Sequence, residues 1–237
     1  MSGPGRARAA QPEAESKPTG PRLPADVEAR ELAPDVRREL VTLDKITADF
    51  VARHLVMAGR LLDEDPAAAL GHAQAARNRA GRIAVVREAV GIAAYHAGDW
   101  AQALSELRAA RRMGSKSVLL PMIADCERGV GRPERALELA RSDEAAALQG
   151  EDADELRIVA AGARADLGQH EQALALLSTP PLDPTAVGSA SARLFYVYAE
   201  TLLALGRADE ALQWFVHAAE ADLDGSTDAE DRITELS

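Results

Sequence analysis

The chain is poor in the residues that staple, stack or anchor. A single cysteine, Cys126, leaves no internal disulfide to form, so a reducing, cytoplasmic compartment is the expectation. Aromatic residues make up 3% of the chain, too few to build a base-stacking platform beside a core. Lysine occurs only at Lys17, Lys45 and Lys116 beside abundant arginine, a bias that fits a GC-rich bacterial genome and carries no mechanism. No apolar run approaches the roughly 20 residues that span a bilayer, so no membrane partner is expected. The first 25 residues set Arg6, Arg8, Lys17 and Arg22 among Pro, Gly, Ala and Ser, without the apolar stretch of a secretory signal. Alternating β-branched runs are also missing, which argues against a sheet.

What is present is a helical vocabulary. About a fifth of the residues are Ala, which fixes no side-chain rotamer on entering a helix, and Leu, Arg and Glu are plentiful. The expected class is all-α. The formal charge of −11 is uneven: −1 over residues 1–52, +4 over 53–116 and −14 over 117–237. Solvated helix faces of differing charge account for this most simply; an electrostatic partner or docking between unlike ends are the alternatives.

Five Ala-Leu pairs recur, beginning at Ala69, Ala103, Ala136, Ala173 and Ala211, with intervals of 34, 33, 37 and 38 residues. Gly98, Gly131, Gly168 and Gly206 each precede the alanine by five positions. A period near 34 predicts stacked helix-turn-helix units. The expected helix pairs are 50–62 with 66–80, 83–97 with 100–113, 118–130 with 133–147, 154–167 with 170–177, and 192–205 with 208–221. Asp65-Pro66 and Asp99 read as helix starts, and Gly98 as a helix end. Thr179-Pro180-Pro181 stops the fourth pair early. A lead-in helix begins near Asp35. The domain reading is a disordered tail over 1–30, helical repeats over 31–224, and an acidic tail or short capping helix over 225–237.

The units resemble the tetratricopeptide repeat (TPR), which has small residues where paired helices cross. Gly91, Ala103 and Ala110 take those positions in the second unit, with Leu104 and Leu107 as bulk and Gly98-Asp99-Trp100 as the turn. Ala199, Ala211 and Ala218 take them in the fifth, with Phe195, Tyr198 and Phe215. The first unit departs at Met57 and Glu64, the third at Asp143 and the fourth at Pro180. The resemblance covers roughly residues 44–224 and implies a right-handed α-solenoid of about five units.

It also implies a binding role, with ligands in a concave groove lined by the first helices. On that mapping the groove shows His54, Glu88, Ile92, Tyr95, His96, Asp125, Arg128, Arg193, Tyr196 and Glu200, together with Ala58, Ile158 and Asp166. Where some members grip a terminal carboxylate with Lys, Asn and Arg, this chain has Glu88, Ile92 and His96, so that clamp is not expected. A second candidate surface is a basic flank of Arg77, Arg79, Arg82, Arg108, Arg111 and Arg112, with Arg87 and Lys116 nearby. It suits an acidic protein partner, or nucleic acid through phosphates.

Signs of chemistry are weak. The five histidines make no His-x-x-x-His pair, and Asp63-Glu64-Asp65 reads as helix capping before Pro66. Cys126 lies mid-helix without a nearby histidine, so it reads as core. No catalytic residue, metal or cofactor is expected. The expected function is a protein- or peptide-binding adaptor. A nucleic-acid-associated regulator or a self-assembling module, its acidic end on a basic middle, are the alternatives.

Overall fold

The computed structural model describes residues 20–237. Among them are thirteen α-helices and no strand. They are α1 (Pro34–Glu39), α2 (Lys45–Leu61), α3 (Pro66–Ala80), α4 (Ala84–His96), α5 (Trp100–Arg112), α6 (Leu120–Gly129), α7 (Pro133–Leu139), α8 (Asp143–Ala146), α9 (Glu151–Asp166), α10 (His170–Leu177), α11 (Ser189–Ala204), α12 (Ala208–Ala221) and α13 (Ala229–Leu236). None of the described helices is long and apolar enough to cross a membrane.

Local chemistry sets the helix starts. Asp44 accepts from the Ile46 and Thr47 amides, Asp65 from Ala68, and Asp99 from Gln102, each satisfying a donor that the first turn leaves open. At the turns, Gly98, Gly131, Gly168 and Gly206 all have φ between +70° and +77°, a region a Cβ disfavours. The Ala-Leu spacing therefore coincides with four equivalent turns.

Consecutive helices pack in pairs: α2 with α3, α4 with α5, α6 with α7, α9 with α10, and α11 with α12. Each pair also leans on the next, through α3 with α4, α5 with α6, α7 with α9, and α10 with α11. Ala69, Ala76, Ala103, Ala110, Ala124, Ala136, Ala161, Ala173, Ala199, Ala211 and Ala218 are all buried. Leu107 packs so closely on Gly91 that a Cβ there would meet it at 2.6 Å. Small residues at these crossings let helix axes approach to about 8–10 Å.

Three expectations change. The first concerns the tail: residues 1–19 lie outside the described residues, but 20–30 are ordered against α2. Val27 is buried on Val56 and Met57, its carbonyl accepts from Arg53 Nε at 2.8 Å, and Arg60 pairs with Asp26 and Glu31. The apolar Leu23, Val27 and Leu32 give this strap enough surface to dock despite its prolines. The second concerns the helix expected over 133–147, which breaks. The Ser142 hydroxyl donates to the Leu139 carbonyl and accepts from the Ala145 amide, so it closes α7 and caps α8. Asp143 and Glu144 then favour a new first turn. The third concerns residues 225–237, where the two expected forms, acidic tail or short capping helix, narrow to the helix α13. Ile233 and Leu236 of α13 pack on the Phe215 cluster, and α13 lies on α12. Against the desolvation of its site, four hydrogen bonds from Ser226 and Thr227 lower the Asp222 carboxyl to about 2 and fix the turn into α13.

Candidate functional site

The first helices α4, α6, α9 and α11 carry a line of polar contacts from one to the next. Near the end of α4, the Tyr95 hydroxyl donates to Asp125 Oδ2 on α6 at 2.6 Å. Burial, reinforced by that acceptor, pushes the phenol pKa above its usual value, so it remains a donor. Arg128, one turn after Asp125, donates Nη1 to Asp125 Oδ1 at 2.7 Å. The same guanidinium reaches α9, placing Nε 2.8 Å from Asp166 Oδ2 and Nη2 3.2 Å from Asp166 Oδ1. Burial works against its charge, but the two aspartates hold Arg128 protonated. A Cβ at Gly162 would sit 2.6 Å from the Arg128 guanidinium carbon, so a side chain there would make the end of the arginine shift from its present path.

Beside this line, the Trp100 indole stands edge-on to Tyr95, with ring centres 5.1 Å apart. It lies over Gly129, where a Cβ would meet the ring at 2.5 Å. Trp100, Asp125, Arg128, Gly129, Gly131, Pro133 and Asp166 enclose a cleft of about 620 Å³. An aromatic face, two carboxylates and a fixed arginine give it both apolar and hydrogen-bonding surface.

The remaining expected groove residues fall on or near the same face, mostly with partners of their own. Glu88 accepts from the hydroxyls of Ser115 at 2.5 Å and Ser117 at 2.6 Å. Ile92 lines a smaller apolar hollow with Leu32, Val36 and Leu55. His96 is partly exposed, with Nδ1 3.9 Å from Asp63. Arg193 of α11 pairs with Glu155 of α9, and Glu200 with Arg232 of α13 at 2.8 Å. Tyr196 stands edge-on to Phe215, and burial, with Asp228 and Glu200 nearby, raises its phenol pKa.

His54 does not belong to this face. It is buried, with Nδ1 3.0 Å from Nδ1 of His72, which is also buried. Desolvation, then the neighbouring His72 and Arg53, lower the His54 pKa to about 4, and desolvation lowers that of His72. Neutral rings fit the contact, one nitrogen donating and the other accepting.

The basic flank is also less free than its sequence suggests. Buried Glu106 bridges Arg77 at 3.0 Å and Arg87 at 2.8 Å. Buried Glu127 takes Arg108, and Glu144 takes Arg111. Arg79 stacks on Phe50 with its guanidinium carbon 5.3 Å from the ring centre. Arg82 and Arg112 make no ion pair among the described residues. Arg82 sits in the turn after α3 and Arg112 ends α5, so most of the expected flank is neutralised by partners of its own.

Cys126 is buried in the α4–α6 core, and burial, with Asp125 and Glu127 nearby, pushes its thiol up to about 12. It therefore stays protonated near neutral pH. Among the described residues no three His, Cys, Asp or Glu side chains converge to hold a metal ion.

Sequence reasoning found single residues of this face but missed how they pair. The overlooked signal is spacing: Arg128 to Asp166 and Glu155 to Arg193 are both 38 residues apart, close to one repeat interval. Oppositely charged residues one period apart fall on equivalent positions of adjacent units. Trp100, read only as part of a turn, forms one wall of the cleft. No protein-family model and no curated protein matches the chain.

Proposed function

We propose that the chain is an α-solenoid of TPR-like units that acts as a protein-binding adaptor, taking a peptide or helical segment along the face formed by α4, α6, α9 and α11. The observation that carries this reading is the cleft of about 620 Å³ beside the Tyr95–Asp125–Arg128–Asp166 line. Its side chains are already fixed by one another, so binding costs little side-chain entropy. Trp100 supplies the apolar contact that most often anchors a protein partner. The paired glutamates on the basic flank weaken the nucleic-acid alternative.

Capture of partners from a cell lysate tests this reading. The wild type, a Trp100→Ala/Arg128→Ala variant and an Arg108→Glu/Arg111→Glu/Arg112→Glu variant are compared. A protein retained by the wild type and the flank variant, and lost with the cleft variant, supports the adaptor. Loss only with the flank variant moves binding to the flank. Nucleic acid recovered by the wild type and lost with the flank variant overturns the adaptor reading in favour of a nucleic-acid regulator.

A further inference from the structure

The two units that depart most from the repeat pattern line a further hollow, which shares no residue with the Trp100 cleft. Because α7 stops at Leu139 and α10 stops at Leu177, a hollow of about 220 Å³ opens among α7, α8, α9 and α10. Its apolar walls include Leu137, Leu156 and Leu176. Its charged lining residues are Arg141, Arg157 and Arg164, and no carboxylate lines it.

The arginines are poorly compensated. The Arg157 side chain is only 11% exposed, and its nearest ion-pair partner, Asp154, stands 3.9 Å away. One Arg157 Nη1 proton goes to the Pro180 carbonyl at 3.2 Å, a neutral acceptor. Arg164 donates to the Gln169 side-chain oxygen, again neutral. The Nε atoms of both Arg157 and Arg164 are buried with no hydrogen-bond partner. Desolvation outweighs Asp154 and lowers the Arg157 pKa, as follows for a cation whose surroundings do not balance it. Elsewhere in the molecule a well-buried charge has close partners: Glu106 has two arginines and Arg128 two aspartates. Burial of a charge without such a partner is costly, and an anion seated among the three guanidinium groups would offset that cost.

We infer that this hollow is a phosphomonoester site: the phosphoryl oxygens accept from Arg141, Arg157 and Arg164, and a short organic substituent lies against Leu137, Leu156 and Leu176. Guanidinium forks match phosphoryl oxygens in shape and charge, and the volume admits one small group rather than a nucleic-acid backbone. The site is separate from the Trp100 cleft and does not depend on the adaptor reading.

Titration calorimetry of the full chain with inorganic phosphate, at constant ionic strength set with chloride, tests it. The expected result is saturable one-to-one binding, weakened at least tenfold by Arg157→Gln and by Arg141→Gln and unchanged by Arg135→Gln. Arg135 is exposed and paired with Glu138 outside the hollow, and Arg141 is exposed, so its replacement leaves the fold intact. Phenyl phosphate binding more tightly than inorganic phosphate supports the apolar wall. Phosphoserine and a phosphoserine peptide then separate a free ester from a phosphorylated partner segment. Unsaturable heats, or equal weakening by Arg135→Gln, overturn the proposal. A thermal melt supplies an independent check: Arg157→Met raises the melting temperature without phosphate and abolishes the gain that phosphate gives the wild type. A fall in melting temperature without phosphate, with the phosphate gain retained, assigns Arg157 a structural role and overturns the site.

Discussion

Arg128 of α6 grips Asp166 of α9 at two points, across the bare backbone of Gly162. The pair ties neighbouring helices at the place where the cleft forms, so the cleft depends on a glycine that lines none of it. Gly162→Ala is expected to push the guanidinium off Asp166, a loss of about 1 kcal/mol or less that the better helix propensity of Ala partly offsets. Urea unfolding measures this as a lower midpoint with an unchanged slope.

The His54–His72 contact predicts acid sensitivity. Both folded-state pKa values lie below the unfolded value of 6.5, that of His54 at about 4. Between these values the unfolded chain binds more protons, so stability falls as pH drops from 6.5 to 4 and is flat above that window for these groups. The loss from His54 alone is on the order of 3 kcal/mol. A His54→Leu/His72→Leu variant flattens this part of the stability–pH curve. A curve as steep as wild type between pH 6.5 and 4 would assign the sensitivity to other groups.

The buried alanines predict an asymmetry between overfilling and emptying the crossings. Ala103→Leu forces α4 and α5 apart and costs about 1–3 kcal/mol. Leu107→Ala leaves Gly91 facing a void and costs about 2–5 kcal/mol. Thermal melts of the two single variants and of the double variant read out both. Because the sites are neighbours on α5, the double variant is expected to depart from the sum.

The ordered strap gives a fourth prediction. Val27→Asp places an unpaired carboxylate against Val56 and Met57 and releases residues 20–31 from α2. Limited proteolysis then cuts this segment faster than in the wild type, while α9 to α12 keep their protection. Equal cutting rates would show that Arg53 and Arg60 hold the strap without Val27.

The helices were largely legible in the sequence because their signals are local. Pro66 to Ala80, His170 to Leu177 and Ala208 to Ala221 run as read, each bounded by a proline, a turn glycine or a cap. The small crossing positions were legible because they repeat. The break at Ser142 was not, since it turns on a hydroxyl choosing Leu139 and Ala145 over continued helix. The strap was missed because its prolines and charges mask three spaced apolar residues. The candidate face was half legible: Tyr95, Asp125 and Arg128 were singled out, but as free groups. Their mutual pairing depends on the rise from unit to unit, which composition does not carry. His54 was misplaced because its ring turns toward α3, a matter of rotation about α2 that the repeat spacing does not determine.

The interruption between α7 and α8 also bears on how the molecule comes apart. Three of the five second helices, α3, α5 and α12, run 13 to 15 residues. The other two are short, α10 at eight residues and α7 at seven, and α7 is followed by the four residues of α8. Leu120, Ala124 and Leu137 share one buried cluster with Leu156 and Val159 across the boundary. The segment between residues 139 and 151, held by the short α7 and α8, is therefore expected to open ahead of the long helices on either side. Its amides then exchange through local opening, before those of the long helices that wait for the global transition.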